Sequence, residues 1–147
     1  PIDCAIVGEP TLCQMAIAEK GLMVLDCQAK GKSGHAAREE GINAIYEALR
    51  DFEWIRHYQF PKVSPVLGAV KMTVTVVNAG KQHNVVPATC DYTIDVRVTD
   101  AYTLEEVLEV IRANVRSEVK PRSLRMRPSG IDDDHALVQS ARRLGLS

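Results

Sequence analysis

The sequence predicts an α+β fold: a ferredoxin-like, four-stranded antiparallel sheet with two helices on one face, in the order βαββαβ. Three observations predict it. Apolar residues recur every three or four positions in two segments, which is typical of amphipathic helices. In the segments between them apolar and polar residues alternate, as they do in half-buried strands. The order of these segments between residues 21 and 127 is that of a split βαβ arrangement.

The first half of this unit is predicted to hold one strand and one helix. Residues 21–32 are rich in aliphatic side chains and predict a strand, which leads into a turn of small residues at 31–37. A helix is predicted from residue 41 to about residue 57. Its apolar stripe comprises Ile42, Ile45, Leu49, Phe52 and Ile55. Two prolines, Pro61 and Pro65, end the segment and make a linker.

The second half is predicted to hold two strands, a helix and a last strand. Residues 69–77 and 85–99 alternate, with a turn at 78–80 between them. Thr103 and Glu106 have the spacing of a capping box, so the second helix should begin there. Pro121 is expected to end that helix, because proline cannot continue it. Residues 124–127 alternate again and predict the last strand.

Two segments lie outside this unit. Residues 2–7 predict a short buried strand, and residues 133–144 predict a final helix that Asp133 or Asp134 would cap. We interpret both segments as edges of a second domain into which the βαββαβ unit is inserted.

Composition narrows the class of protein. The chain has 147 residues, which is enough for one domain with a core. Its net charge of −1 gives it no basic surface excess that would attract nucleic acid. No apolar run approaches the roughly 20 residues that cross a membrane. The four cysteines contain no CxxC pair, so free buried thiols are expected rather than a zinc site or disulfides; they are Cys4, Cys13, Cys27 and Cys90. We therefore expect a reducing, cytoplasmic compartment.

Two residues next to strand ends are candidates for chemistry. Glu9 follows the first apolar segment between Gly8 and Pro10, where a rigidly held carboxylate could bind a metal ion. The alternative is a solvated acidic residue in a turn. His35 lies between small residues in a turn, where another molecule could approach the backbone closely. The alternative is an ordinary surface histidine.

Two further candidates lie in the second half. Asn84 precedes the segment 85–87 and offers hydrogen-bond donors in a turn, although asparagine also favours turns for local reasons. Arg97 is on the polar face of its strand and could present its guanidinium to a carboxylate. Alternatively it forms an ion pair on the sheet, for example with Asp95.

Five motifs occur in one order along the chain, and together they are far more specific than any one of them. They are Ala5-Ile6-Val7-Gly8-Glu9-Pro10-Thr11, Gly31-Lys32-Ser33-Gly34-His35-Ala36-Ala37, Gly41-Ile42-Asn43-Ala44-Ile45, Asn84-Val85-Val86-Pro87 and Asp95-Val96-Arg97. This series closely resembles the zinc-dependent aminoacylase and carboxypeptidase family of the acetylornithine deacetylase and succinyl-diaminopimelate desuccinylase type. The resemblance covers nearly the whole chain.

The resemblance implies a role for each candidate. Glu9 matches the family's carboxylate zinc ligand. His35 matches the histidine that reaches across a dimer into the partner's active site and stabilises the tetrahedral oxyanion. Asn84 matches an asparagine that also reaches the substrate, and Arg97 matches the arginine that holds the substrate's α-carboxylate. Two zinc ions, with cobalt as a possible substitute, would activate a water molecule and polarise the amide carbonyl.

The resemblance also implies a domain division and an activity. Residues 1–12 would form the edge of a catalytic domain, residues 13–128 a lid and dimerisation domain, and residues 129–147 the return into the catalytic domain. The activity would be hydrolysis of the amide bond of an N-acyl amino acid, with acetylornithine in arginine biosynthesis as the leading substrate. A homodimer would form through the lid, whose candidate surfaces are the first helix and an adjacent edge strand.

Most of the family's zinc ligands and its general base have no counterpart in these residues. We therefore expect that this chain alone neither binds zinc tightly nor turns over substrate. The competing hypothesis is a stand-alone ferredoxin-like module that binds a ligand or regulates without catalysis. An RNA-binding module is disfavoured, because only 5% of the residues are aromatic and the polar strand face carries Thr93, Asp95 and Arg97.

Overall fold

The computed structural model describes residues 5–8, 10–12 and 14–146, which form eight strands and three helices. The strands are β1 (Ala18–Glu19), β2 (Gly21–Lys30), β3 (Gly34–His35), β4 (Lys71–Ala79), β5 (Val85–Val86), β6 (Thr89–Val98), β7 (Glu118–Pro121) and β8 (Ser129–Gly130). The helices are α1 (Ala44–His57), α2 (Leu104–Asn114) and α3 (Ala136–Arg143). None of the helices in the described part is long and apolar enough to cross a membrane.

The main sheet has four strands in the order β4-β6-β2-β7, and every neighbouring pair is antiparallel. The two central strands pair over their whole length, from Gly21 opposite Val98 to Lys30 opposite Thr89. Helix α1 connects β2 to β4 and α2 connects β6 to β7, so the predicted ferredoxin-like α+β fold is confirmed.

The core lies between one face of this sheet and the helices. Along β2 the buried residues are Met23, Leu25, Cys27 and Ala29, and along β6 they are Cys90, Tyr92, Ile94, Val96 and Val98. Because strand side chains alternate, the residues between them point to the opposite side, which we call the open face. Helix α2 begins as predicted: Thr103 Oγ1 accepts a hydrogen bond from the Glu106 N–H at 3.1 Å, and the Thr103 N–H donates to Glu106 Oε2 at 2.7 Å.

The face that α1 buries differs from the predicted stripe. Its buried residues are Ala44, Ala48, Asp51 and Ile55, whereas Ile42 is 53% exposed and Leu49 47% exposed. Ile42 precedes the N-cap, Asn43, and pairs its backbone with Lys32, so it does not belong to the helix. Within the helix, Ala44 and Ala48 occupy the face against the sheet, where small side chains allow close packing, and Leu49 lies beside that face. The sequence stripe was therefore right for Ile55 and wrong for Ile42 and Leu49.

The fourth strand of the sheet also differs from the prediction. It is β7, Glu118–Pro121, rather than residues 124–127, and α2 ends at Asn114, well before Pro121. Val119 is buried opposite Cys27, which anchors β7, and a proline is tolerated at the end of an edge strand. Residues 122–127 follow β2 irregularly, since the Leu22 N–H donates to the Met126 carbonyl at 3.0 Å.

The flanking segments were predicted in part. Residues 5–7 are exposed and form no strand, in contrast to the predicted buried strand, while residues 1–4 lie outside the described residues. The final helix is present as α3, but its N-cap is His135, whose Nδ1 accepts from the Leu137 N–H, and not Asp133 or Asp134. Strands β1 and β8 pair with each other, so the chain enters and leaves the four-stranded unit side by side.

Two of the four cysteines lie in the described part, Cys27 and Cys90, and both are free and buried. Burial raises the pKa of the Cys27 thiol to about 12 and also raises the pKa of Cys90. These two side chains act as small core residues, as predicted.

Candidate functional site

His35 and Asn84 lie next to each other, although 49 positions separate them in the sequence. Strand β3 pairs with β5 so that His35 stands opposite Val85 and Gly34 opposite Val86. The Ala36 N–H donates to the Asn84 carbonyl at 2.9 Å. We call residues 34–36 and 84–86 the His35–Asn84 corner. Both side chains of interest are exposed there, so another molecule can reach them.

Glycines make this corner possible. A Cβ at Gly31 would lie 2.1 Å from the Ile42 carbonyl oxygen, and a Cβ at Gly34 would lie 2.9 Å from the Gly41 nitrogen. The turn is closed by a pair of backbone hydrogen bonds between Lys32 and Ile42, at 2.8 and 2.9 Å. Any larger residue at either glycine would open this packing, so the small-residue motif serves the close approach of two backbone segments.

The hydrogen bonds of His35 determine which ring nitrogen carries the proton. Nδ1 accepts a hydrogen bond from the Ala37 N–H at 3.1 Å, while the His35 backbone N–H donates to Glu40 Oε1 at 3.1 Å. In the neutral ring the proton therefore lies on Nε2, which has no hydrogen-bond partner among the described residues. A held imidazole with a free Nε2–H is suited to stabilise negative charge on an oxygen atom.

Arg97 is engaged on the open face with Asp95. Its Nε donates to Asp95 Oδ1 at 2.8 Å and its Nη2 donates to Oδ2 at 3.0 Å, so the ion pair considered from sequence is present. Its hydrogen bond to Asp95 raises the pKa of Arg97. The guanidinium is about half exposed and carries more N–H donors than one carboxylate accepts, so it can bind a second anion.

Arg97 does not meet the other two candidates. It stands opposite Leu22, near the start of β2, whereas the His35–Asn84 corner adjoins the other end, where Lys30 stands opposite Thr89. Eight positions of β6 separate Arg97 from Thr89, which corresponds to about 26 Å of extended strand. A molecule as small as an N-acyl amino acid cannot contact both ends of one sheet.

The fourth candidate, Glu9, lies outside the described residues. In residues 5–8, 10–12 and 14–146 no group of three or more His, Cys, Asp or Glu side chains is arranged to hold a metal ion. A catalytic zinc site needs three protein ligands, so the described residues do not fit one by themselves.

A buried carboxylate was missed by the sequence interpretation. Asp51 is 2% exposed and accepts four hydrogen bonds: from Tyr92 Oη at 3.0 Å, Ser117 Oγ at 2.5 Å and the backbone N–H groups of Arg116 at 2.9 Å and Ser117 at 3.1 Å. It fastens the middle of α1 to the connection between α2 and β7. The sequence does offer one indication that Asp51 is buried: it follows Ala44 by seven residues and so lies on the same face of the helix.

The open face carries a shallow depression of about 470 Å³ near Asp26, Asp91 and Arg122. Its polar groups satisfy one another: Arg122 donates to both oxygens of Asp26 at 2.8 and 2.9 Å, and Gln28 Nε2 donates to Asp91 Oδ1 at 2.8 Å. A ligand there would have to break these contacts, so this depression is a poor binding site.

The family model and the similar proteins both indicate the M20 peptidase family. A family described as the M20 peptidase dimerisation domain matches residues 17–123. Acetylornithine deacetylase of Myxococcus xanthus is 29% identical over 122 residues, which are 78% of this chain and 32% of that protein. The enzyme of the same name from Proteus mirabilis is 30% identical over 129 residues, or 82% of this chain and 33% of that protein. The chain thus spans about a third of the length of these relatives.

Solved structures share the fold at low identity. Aminopeptidase PepT of Bacillus cereus superposes with a TM-score of 0.68 at 14% identity, covering 91% of this chain and 38% of that one. An M20 family metallo-carboxypeptidase of Sulfolobus solfataricus also gives a TM-score of 0.68, at 12% identity, covering 90% of this chain and 51% of that one. At such identities the likeness establishes the fold.

Proposed function

Since this chain belongs to the M20 peptidase dimerisation domain family, we propose that it is the lid and dimerisation part of a metal-dependent hydrolase that cleaves the amide bond of an N-acyl amino acid. The observation that carries the proposal is the His35–Asn84 corner. There, two backbone segments hold an exposed imidazole whose unused Nε2–H is ready to donate. As the amide carbon becomes tetrahedral, this donor stabilises the charge on the former carbonyl oxygen.

The two ends of the lid serve different active sites in this proposal. Arg97 holds the α-carboxylate of a substrate bound in its own subunit and so orients the amide. The His35–Asn84 corner adjoins the Thr89 end of β6, which is separated from Arg97 by about 26 Å of extended strand, and it completes the site of the other subunit of a homodimer. The separation of the two ends supports this division, because one small substrate cannot touch both.

The dimer would form along α1 and β4. Tyr46 and Leu49 on α1 are 66% and 47% exposed, and Val76 and Val77 are exposed on β4, an edge strand of the sheet. Helix α1 packs on β4, so these apolar groups belong to neighbouring elements. Exposed apolar surface beside an unpaired strand edge is suited to pairing with a second copy of the same chain.

We further propose that the four-stranded lid is inserted in a catalytic domain, with residues 1–12 and 129–147 as its flanking edges and residues 13–128 as the lid. The pairing of β1 with β8 supports it, because an inserted domain leaves its host where it enters. The catalytic domain would supply most of the metal ligands, with Glu9 as one ligand from this chain. Two zinc ions, or cobalt in their place, would activate water and polarise the amide carbonyl.

Acetylornithine is the leading substrate, which would make the protein a cytoplasmic enzyme of arginine biosynthesis. The names of the two relatives at 29% and 30% identity support this choice. The competing function is a stand-alone ligand-binding or regulatory module. The depression on the open face gives it little support, because the polar groups there already bond to one another through the Arg122–Asp26 ion pair and the Gln28–Asp91 hydrogen bond.

The test is an assay of the complete enzyme that carries this domain. It should release ornithine from N-acetylornithine, lose activity on chelation and regain it with zinc or cobalt. The isolated 147-residue chain serves as the control and should be inactive. Failure of the metal-loaded complete protein to hydrolyse any N-acyl amino acid would contradict the proposal, and activity of the isolated chain would contradict the division of labour between domains.

A further inference from the structure

Lys71 and Arg97 stand directly opposite each other on neighbouring strands of the open face. They are a register pair of β4 and β6, and both are exposed. Residues opposite each other in an antiparallel pair have Cβ atoms about 5 Å apart, and two like charges so placed repel. A pair of cations in this position is stabilised when an anion lies between them.

Asp95 supplies only part of that negative charge. Both of its oxygens are occupied by Arg97, and on β4 it stands opposite Thr73 rather than Lys71. Among the residues that the structure describes, none forms an ion pair with Lys71, whereas Lys30 and Lys120 both pair with Glu118. The Lys71–Arg97–Asp95 group therefore carries one more positive than negative charge. The Glu19 carboxylate lies near enough to raise the pKa of Arg97 slightly, but it forms no ion pair with Lys71 or Arg97 in the described part, so it offsets this charge only in part.

The surroundings of this group suit a small carboxylate with an aliphatic part. On the other side of Arg97 the register partner is Leu22, and Val24 is the next residue of β2 on the same face. Both side chains are half-buried and provide an apolar floor beside the cations. A third ammonium group is close by but engaged, since Lys20 Nζ donates to the Ala69 carbonyl at 2.8 Å.

We propose that Lys71 and Arg97 together bind the α-carboxylate of the substrate, with Asp95 as the residue that positions the Arg97 guanidinium. Arg97 presents a planar fork and Lys71 a compact charge, so the two can contact different oxygens of one carboxylate. The pair selects substrates with a free carboxylate over esters and carboxamides. This assignment rests on the proposed function, but it can be tested without turnover.

The experiment titrates the 147-residue chain with N-acetylglycine and, separately, with N-acetylglycinamide, while NMR follows the Arg97 Nε–H and Lys71 Nζ signals. N-acetylglycine should shift both signals, and N-acetylglycinamide should shift neither. Lys71→Met should weaken binding of the carboxylate by about tenfold, which is the loss of one charge-assisted contact, and Lys71→Arg should retain most of it. The matched control is Lys120→Met, which removes an exposed lysine from β7 and should leave binding unchanged.

Two results would overturn the assignment: equal shifts with the acid and the amide, or equal affinity of the Lys71→Met and wild-type chains. Failure of the proposed function has a different signature. It would appear as a complete, metal-loaded enzyme without amide hydrolysis, whatever the binding data show.

Discussion

Arg97 and His35 lie at opposite ends of the four-stranded sheet. Arg97 stands opposite Leu22 at the beginning of β2, and His35 follows the end of β2 by five positions. Both residues have exposed side chains. The four-stranded sheet therefore keeps these two candidate residues apart. If both contribute to catalysis, an experiment can distinguish one shared active site from two separate ones.

Complementation between two inactive variants should reveal the two ends. In the complete enzyme, His35→Ala and Arg97→Ala homodimers should each lose most activity. If Arg97 serves its own subunit and His35 the partner, a mixed dimer has one site with both residues intact. Random reassociation should then restore about a quarter of wild-type activity, since half of the dimers are mixed and one of their two sites works. No recovery after mixing would mean that both residues serve the same site.

His35 should act on kcat more than on KM. Its Nε2–H is proposed to contact the oxygen that becomes charged in the transition state, so His35→Ala in the complete enzyme should lower kcat about a hundredfold to a thousandfold. His57→Ala is the matched control, because His57 is an exposed histidine at the end of α1. Steady-state kinetics measure kcat and KM for both variants. An equal loss of kcat in His35→Ala and His57→Ala would exclude a specific role for His35.

Asp51→Ala should destabilise the fold by roughly 3 kcal/mol, because it leaves the buried Tyr92 hydroxyl and two part-buried backbone N–H groups without their acceptor. Urea unfolding of the 147-residue chain measures this free energy. Glu53→Ala, an exposed carboxylate on the same helix, should change it by less than about 0.5 kcal/mol. A small loss for Asp51→Ala would show that the connection before β7 is held by other contacts.

The stability of the chain should fall in alkali partly through Cys27. Its pKa is raised by burial from 9.0 to about 12, so the folded state keeps a proton that the unfolded state releases. The contribution of the protonated Cys27 thiol to the free energy of unfolding is fully present below pH 9 and is lost as the pH rises toward 12. Urea unfolding across this range should show a steeper fall for the wild type than for Cys27→Ala, which lacks the thiol. Parallel curves would mean that Cys27 does not contribute.

The α1–β4 surface should control the oligomeric state. Tyr46→Lys places a charge among the exposed apolar groups and should shift the chain from dimer to monomer in light scattering or sedimentation. Val66→Lys is the control, since Val66 is equally exposed on the loop between α1 and β4. A wild-type chain that stays monomeric at high concentration would contradict dimerisation through this surface.

Most residues of the candidate site can be predicted from sequence, because they lie in short motifs. The sequence alone indicates the small-residue turn around His35 and the segment after Asn84, whereas only the structure shows that they meet through β3 and β5. The role of Glu9 as a ligand stays a prediction, since that residue lies outside the described part. The sequence does not predict a role for Lys71, because nothing local in it indicates which residue stands opposite Arg97.

The sequence by itself determined the order of the elements, the alternating burial of β6 and the start of α2 at Thr103, because strand alternation and helix capping depend on residues close together in the chain. Only the tertiary structure decided which face of α1 is buried, that β7 rather than residues 124–127 completes the sheet, and that Arg97 lies far from His35. Those outcomes depend on long-range packing: two alanines in α1 allow close approach, Val119 enters the core beside Cys27, and the β2–β6 register places the two candidate residues at opposite ends.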